Sequence, residues 1–428
     1  MKRDWGDRRL KIKSFILSLK SLSIPQIPEL LSLLQKYAML TTFHKISRSL
    51  HGKMFFVQKN NQERHGSMSK ISQAWSHIQT TLYPFLETEV SPLTETQKSF
   101  VAILDLIGLD RFIPTGWWTR GRPSKDRTAL ARAFVAKPVF NFATTRQLID
   151  HLRSNPTLRR LCGWERAGQI PSEATFSRAF EEFAERELPL KAQQALLEQF
   201  QSDRLVGHLS RDSTDIPARE KPVAKPPKPV RAKAKRGRPR KGEVRPPKEP
   251  TQVERQLGMS LDEMVSGLPR VCNVGIKKKP SGNYCWIGYK FHVDWADGEI
   301  PISSILTSAS THDSQVAIPL GTMSAQQVTS CYALMDSAYD SPAIWEHSRM
   351  LGVVPIIDYN HRRREAPEMD PASQRRYCER TTAERGFSLL KEKFGGRDVR
   401  VRGYVKVLAH LGFCLLALTA DRLLNLLL

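Results

Sequence analysis

Cysteine is sparse and scattered in this chain. Six residues (Cys162, Cys272, Cys285, Cys331, Cys378 and Cys414) in 428 form no CxxC pair. That excludes the short-spaced zinc and dithiol redox motifs and fits a reduced cytoplasmic interior. No secretory signal pattern heads the sequence, because Phe15 to Leu22 is short, contains Lys20 and has no small-residue cleavage site nearby. Long hydrophobic runs are also missing. The most apolar stretch is at the C-terminal end; its uncharged run, Val407 to Ala420, is followed by Asp421 and Arg422 and falls short of the ~20 residues a membrane span needs. The expectation is a core helix and no membrane association. Acid is in short supply: 43 Asp and Glu stand against 66 Lys and Arg, a net charge of +23. Such a surplus points to a polyanionic partner, most often nucleic acid, with a merely soluble basic protein as the plain alternative.

One window lacks both aromatics and acids to any extent. Residues 217–250 hold nine prolines, thirteen Lys or Arg, three Glu and no aromatic. This stretch cannot bury enough apolar surface to fold alone and is expected to be a disordered, solvated insertion. Residues 1–67 are basic and mixed in pattern. They are read as a basic N-terminal arm, or as a mis-called extension with Met68 as initiator, since a clearer helix starts over Ser69 to Leu86.

From 92 to 202 the periodicity is helical. A helix opening at Ser91-Pro92 aligns Phe100, Ile103, Leu104 and Ile107. Others cover Leu130 to Ala136 and Gln147 to Leu152, and a long one from Pro171-Ser172 places Phe176, Phe180 and Phe183 at i, i+4, i+7. Residues 68–202 are therefore expected to form a helical DNA-binding or dimerisation domain. Beyond 203 the pattern alternates. Strands are predicted over Leu205–Ile216, Asn283–Trp295, Ile300–Ser308, Cys331–Met335 and Val353–Ile357. Helices are predicted over Ser314–Val328, Ser341–Leu351 and about 374–394. A meander followed by helix–strand alternation implies an α/β domain over 203–428, a mixed sheet flanked by helices, preceded by the all-helical region.

The strongest local signal is Tyr377 to Lys391. On a continuous helix with Tyr377 at zero, Arg380, Glu384 and Lys391 fall at about −60°, −20° and −40°. A Tyr-Arg-Glu-Lys row thus shares one face, beside an apolar stripe of Ala383, Phe387, Leu390 and Phe394. A solvated helix with routine ion pairs would give the same row. Its company changes the reading: Asp336 ends a short apolar strand in YALMDSAYDS, and Asp212 lies near the end of the first strand in LSRDSTDI. Carboxylates at strand ends plus one on a helix can converge on hard cations such as Mg²⁺. Asp215 competes with Asp212, and three residues apart on a strand the two should face opposite ways. A turn role before Pro217 is expected for Asp215. His292, His312 and Asp313 either line the site or fill structural roles, such as capping the helix from Ser314. Asp340 is expected to cap the helix from Ser341.

The spacing of Tyr377, Arg380, Glu384 and Lys391 resembles the signature of bacterial insertion-sequence DDE transposases, in particular the insertion-sequence four/five-like group. RDST at 211–214 and MDSAYDS at 335–341 resemble that family's first and second aspartate motifs. GYKFHVD at 288–294 and TSASTHDS at 307–314 resemble its hairpin, and GRP at 121–123 with IPSEATFSR at 170–178 its helical domain. The likeness runs from about 120 to 428. It implies a ribonuclease-H-like fold and cleavage of element-end DNA with strand transfer into target DNA. It further implies two Mg²⁺ or Mn²⁺ ions held by Asp212, Asp336 and Glu384, and DNA phosphates held by Tyr377, Arg380 and Lys391. Double-stranded DNA would be the partner, a homodimer on paired ends the acting form, and the bacterial cytoplasm, at the nucleoid, the location. An inactive or domesticated DNA-binding copy, and a ribonuclease-H-like nuclease without strand transfer, remain alternatives. So does a purely structural chromatin-like role.

Within the insertion, Arg236-Gly237-Arg238-Pro239-Arg240 resembles an AT-hook core, which lays Arg236, Arg238 and Arg240 into a narrow A·T minor groove. A generic polybasic linker attracted to any phosphate backbone is the alternative. The insertion also departs from the simplest family pattern, in which the first two strands are closer.

Overall fold

The computed structural model describes residues 69–90, 92–113, 125–202, 204–224, 249–279, 282–360 and 367–426. The N-terminal arm (1–67), most of the basic insertion and its Arg236, Arg238 and Arg240 lie outside them.

Among the described residues from 70 to 200 every regular element is a helix. The helices used below are α1 (Arg127–Val139), α2 (Glu173–Glu185) and α3 (Leu188–Phe200). A cap sets the start of α1: Asp126 accepts from the amides of Thr128 and Ala129, satisfying N–H groups that a first turn leaves open. The helix predicted from Ser91-Pro92 begins instead at Glu95. There Thr94 and Gln97 form a reciprocal capping box, a stronger stop on the backbone than the proline three residues earlier.

The chain then builds one six-stranded mixed sheet. Its strands are β1 (Leu205–Pro217), β2 (Asn273–Lys279), β3 (Gly282–Ala296), β4 (Ile300–Ser308), β5 (Thr329–Met335) and β6 (Val354–Ile357). The order is β2-β3-β1-β5-β6, with β4 also on β3. β3 is antiparallel to β1, β2 and β4, whereas β1–β5 and β5–β6 are parallel. Helices α4 (Ser314–Gln327) and α5 (Thr381–Ser388) flank it. A meander continued by parallel crossovers is consistent with the expected ribonuclease-H-like domain. Strand β2 was not expected, because its VGIKKK pattern offers little apolar alternation. The expected solvated character of 217–250 also needs correcting at its start. Ala218 and Val223 donate backbone hydrogen bonds to Ile287 and Cys272, and Glu220 accepts from Tyr289 Oη and the Gly403 amide.

The last helix, α6 (Tyr404–Asn425), is long and apolar enough by length and composition to cross a membrane, but its side chains are spent inside the protein. Phe413, Leu416, Ala420 and Leu423 join the core of the helical region, where Phe413 packs on Phe134 and Phe180. Leu411, Cys414, Leu415 and Leu418 join a second core with Trp295 and Phe387 beneath the sheet. One helix therefore serves two cores, which explains its all-round hydrophobicity. Truncating Phe413 to Ala should destabilise the protein by about 3–5 kcal/mol, a buried aromatic deletion. Urea unfolding of the variant measures this, and a loss under 1 kcal/mol would contradict the shared-core role.

Candidate active site

Two parallel strands bring the aspartates together. The β1–β5 register ends with Ser210 opposite Leu334; two residues on, Asp212 is still in β1 and Asp336 stands just past the end of β5. Asp212 Oδ1 accepts from the Ser213 amide at 2.7 Å, and Asp336 Oδ1 from the Ala338 amide at 3.0 Å. These short-range bonds orient each carboxylate and leave its other oxygen directed elsewhere.

Glu384 comes from α5, which is drawn tightly onto β3. A Cβ on Gly386 would sit 2.5 Å from the Trp295 ring, closer than any side chain tolerates, and Phe387 meets the same indole edge-on at 5.2 Å. Ser210 Oγ donates to the Glu379 carbonyl just ahead of the helix. Arg380 then bridges the acids, with Nη1 3.4 Å from Asp212 and Nη2 3.3 Å from Glu384.

The expected single helix over 374–394 is in fact segmented. Pro371–Tyr377 is α-helical, Cys378–Arg380 a 3₁₀ turn, α5 follows, and Leu389–Lys393 is a π turn. Changes of pitch break the 100° wheel. Arg380 remains over Tyr377, 5.9 Å above its ring, but Lys391 is carried to Asp215, at 3.3 Å. Tyr284 Oη donates to the other oxygen of Asp215 at 3.2 Å. Strand parity predicts opposite faces for Asp212 and Asp215, but each carboxylate meets a cation of the signature segment. Both are reached from the signature segment, yet the charge of Asp336 acts on Asp212.

Burial raises the Asp212 carboxyl from its usual 3.8 to about 6. The Ser213 amide and Arg380 counter this, and the charges of Asp336 and Asp313 reinforce it. Asp336 is likewise raised, first by burial and further by Asp313, against the Ala338 amide, Arg380 and Lys277. Burial works against the Arg380 cation, but Asp212, Tyr377, Glu384 and Asp336 together raise its pKa. A half-buried acidic pair that borrows a guanidinium is short of positive charge.

Behind this row lies a second network, on the opposite face of β1. Arg211 and Asp294, paired in the β1–β3 register, form a bidentate ion pair with two 2.7 Å bonds, 5% and 0% exposed. Arg211 Nη1 also donates to the Ala317 carbonyl of α4, and Ser324 Oγ to Asp294. Next along, Asp313 Oδ1 accepts from Ser213 Oγ at 2.8 Å and Lys290 Nζ at 3.3 Å, with His292 Nδ1 3.5 Å away. Burial lowers His292 to about 4, against the pull of Asp313 and with the push of Lys290, so the ring is neutral near pH 7. Asp313 is not a side-chain cap for α4; it ties the helix start to β1 and β3. Asp340 likewise does not cap its helix. It accepts from Trp345 Nε1 and the Asn360 amide. The legible signal for this network was Lys290, His292 and Asp294 at alternate positions in a strand otherwise apolar.

Beside Asp336 opens a polar cavity of about 530 Å³, lined by Thr251, His312, Ser314, Asp340 and Asn360 among others. The donor chemistry of the site suits a hard divalent cation, since all three acids are carboxylates and two of them press on each other. Among the described residues no three His, Cys, Asp or Glu side chains converge closely enough to enclose an ion, and Arg380 stands between Asp212 and Glu384.

A family model described as a transposase DDE domain matches residues 208–420, a span that includes β1 with Asp212, Asp336 and the whole signature segment. The chain carries a transposase DDE domain. A second model, described as a transposase domain, matches residues 94–182 in the helical region. No curated protein and no solved structure matches the chain.

The raised Asp212 has a consequence for stability. Its folded pKa lies above the unfolded one, so its protonated form favours folding fully below pH 3.8, and that contribution is lost as pH rises through about 6. Asp212→Asn should therefore stabilise the metal-free protein by about 1–3 kcal/mol at pH 8, one pKa unit being about 1.4 kcal/mol, and by nothing below pH 4. Urea unfolding at both pH values tests this; equal effects at the two would reject the electrostatic account.

Proposed function

We propose that this protein catalyses DNA transposition by a DDE mechanism: cleavage at element ends and transfer of the freed 3′ end into target DNA. The reading rests above all on Asp212 in β1 and Asp336 just past the end of the neighbouring parallel strand β5, with Glu384 joined to Asp212 through Arg380. Asp212, Asp336 and Glu384 would hold two Mg²⁺ or Mn²⁺ ions, whose chemistry is to activate the attacking oxygen and stabilise the leaving one in an in-line displacement at phosphorus. Water or a DNA 3′-hydroxyl attacks, and the bond to the 3′ oxygen breaks.

The chain's own part is positional. Arg380 and Lys391 are held over Asp212 and Asp215 without nucleic acid. Cations on Asp212 and Glu384 would free Arg380 to grip a phosphate beside the scissile one, a bidentate task suited to a guanidinium, and Lys391 would turn from Asp215 to a neighbouring phosphate. Tyr377 shelves the Arg380 guanidinium. The Tyr-Arg-Glu-Lys spacing favours the insertion-sequence four/five-like group. We assign residues 68–202 to DNA binding or dimerisation and 203–428 to catalysis, with a homodimer acting on paired ends at the bacterial nucleoid. Arg236, Arg238 and Arg240 would add salt-sensitive DNA affinity from the insertion.

A plasmid carrying the gene with its flanking DNA should be nicked in Mg²⁺ or Mn²⁺, and Asp336→Asn or Glu384→Gln should reduce nicking at least ~10³-fold while leaving DNA binding intact, as expected when a group acts only on the reacting phosphate. Nicking that survives either change would reject the site. Pre-cleaved ends that never join target DNA would favour a nuclease without strand transfer.

A further inference from the structure

Strand β3 runs past the sheet. β1 accompanies it only from Gly288 to Ala296, and residues Gly282 to Trp286 pair with β2 alone. The result is a two-stranded ribbon, a form of marginal stability in water by itself. Gly288 is the pivot. A Cβ there would lie 2.1 Å from the Ile216 carbonyl oxygen and 2.7 Å from the Ala218 amide, so β1 can press against β3 where the ribbon departs.

The ribbon has two unlike faces. On one, Lys277 lies opposite Tyr284, and Gly275 opposite Trp286. The indole lies across Gly275, where a Cβ would be 2.4 Å from it, and Tyr284 stacks on Trp286 at 5.8 Å and 19°. Tyr284 reaches Asp215, which Lys391 also holds, so this face is tied to the signature segment. Lys277 is near enough to Asp336 for its charge to act there against the effect of burial. On the other face Val274, Ile276 and Ile287 are exposed, Ile276 by 62%.

Charge says what this arm meets. From Val271 to Val293 there are four lysines and no acidic residue, and Lys277 and Lys278 make no ion pair among the described residues. A two-stranded ribbon fits the major groove of a DNA duplex, and unpaired lysines on it meet phosphates. We propose that the β2–β3 ribbon enters the groove of the DNA being cut, with Lys277 and Lys278 on backbone phosphates beside the bond presented to Asp212 and Asp336. This rests on the reading of the protein as a DNA transposase and adds how the duplex is held at its site.

Equilibrium binding of the full chain to a duplex from the gene's flanking DNA, in EDTA and over a salt series, tests the contact without catalysis. Lys277→Gln with Lys278→Gln should weaken binding at least about tenfold near 0.1 M salt and reduce the slope of log K against log salt by about two, with unchanged thermal melting. In an otherwise intact chain, Ile276→Cys carrying a photo-crosslinker should attach to DNA within a few base pairs of the nick. Unchanged affinity and slope, or a crosslink only to a second copy of the chain, would overturn the proposal. A chain that binds and crosslinks in this way but never nicks would overturn the proposed function and leave the ribbon contact standing.

Discussion

The site depends on the buried pairing of Arg211 with Asp294. A fully desolvated ion pair gains little net stability, but breaking it strands a charge in the interior. Burial disfavours the Arg211 cation, and Asp294 more than reverses this, leaving the guanidinium above its usual pKa. Because the two residues are register partners, any slip of β1 against β3 would unpair them. Arg211 precedes Asp212, so the interaction that locks the register also determines where the first aspartate emerges. Gly321 of α4 leaves the room: a Cβ there would meet Arg211 Nη2 at 3.0 Å.

From that register the rest of the site follows by contact. Asp313 gathers Ser213, Lys290 and His292 behind Asp212, and Gly386 lets α5 settle on Trp295, with Arg380 linking Glu384 of that helix to Asp212. The helical region is secured to this frame by α6, whose Phe413 and Leu415 belong to different cores. Two family matches, one in the helical region and one over the sheet, thus fall on parts that share α6 and also meet directly, as where Gln193 of α3 donates to the Pro301 carbonyl of β4.

Much of the fold was legible because burial periodicity is a local property. Strands β1, β3, β4, β5 and β6, helix α4 and the buried terminal helix all follow from alternation or unbroken apolarity. β2 escaped because only Val274 and Ile276 alternate before a run of three lysines, and both are exposed, so its pairing with β3 rather than a buried face makes it a strand. The wheel placed Arg380 and Glu384 on one face. It could not foresee the 3₁₀ and π turns that interrupt the α-helical pitch on either side of α5.

The sequence by itself determined which residue types are available: carboxylates at strand ends, a Tyr-Arg-Glu-Lys series and a large positive surplus. These are properties of composition and short-range spacing, and they survive any arrangement of the chain. Only the tertiary structure decided the partnerships. Asp212 feels Asp336 while Asp215 is held by Lys391 and Tyr284, and Arg211 is neutralised from 83 residues away. Such pairings depend on strand register and helix docking, which bring together side chains whose separation along the chain carries no trace of their distance in space.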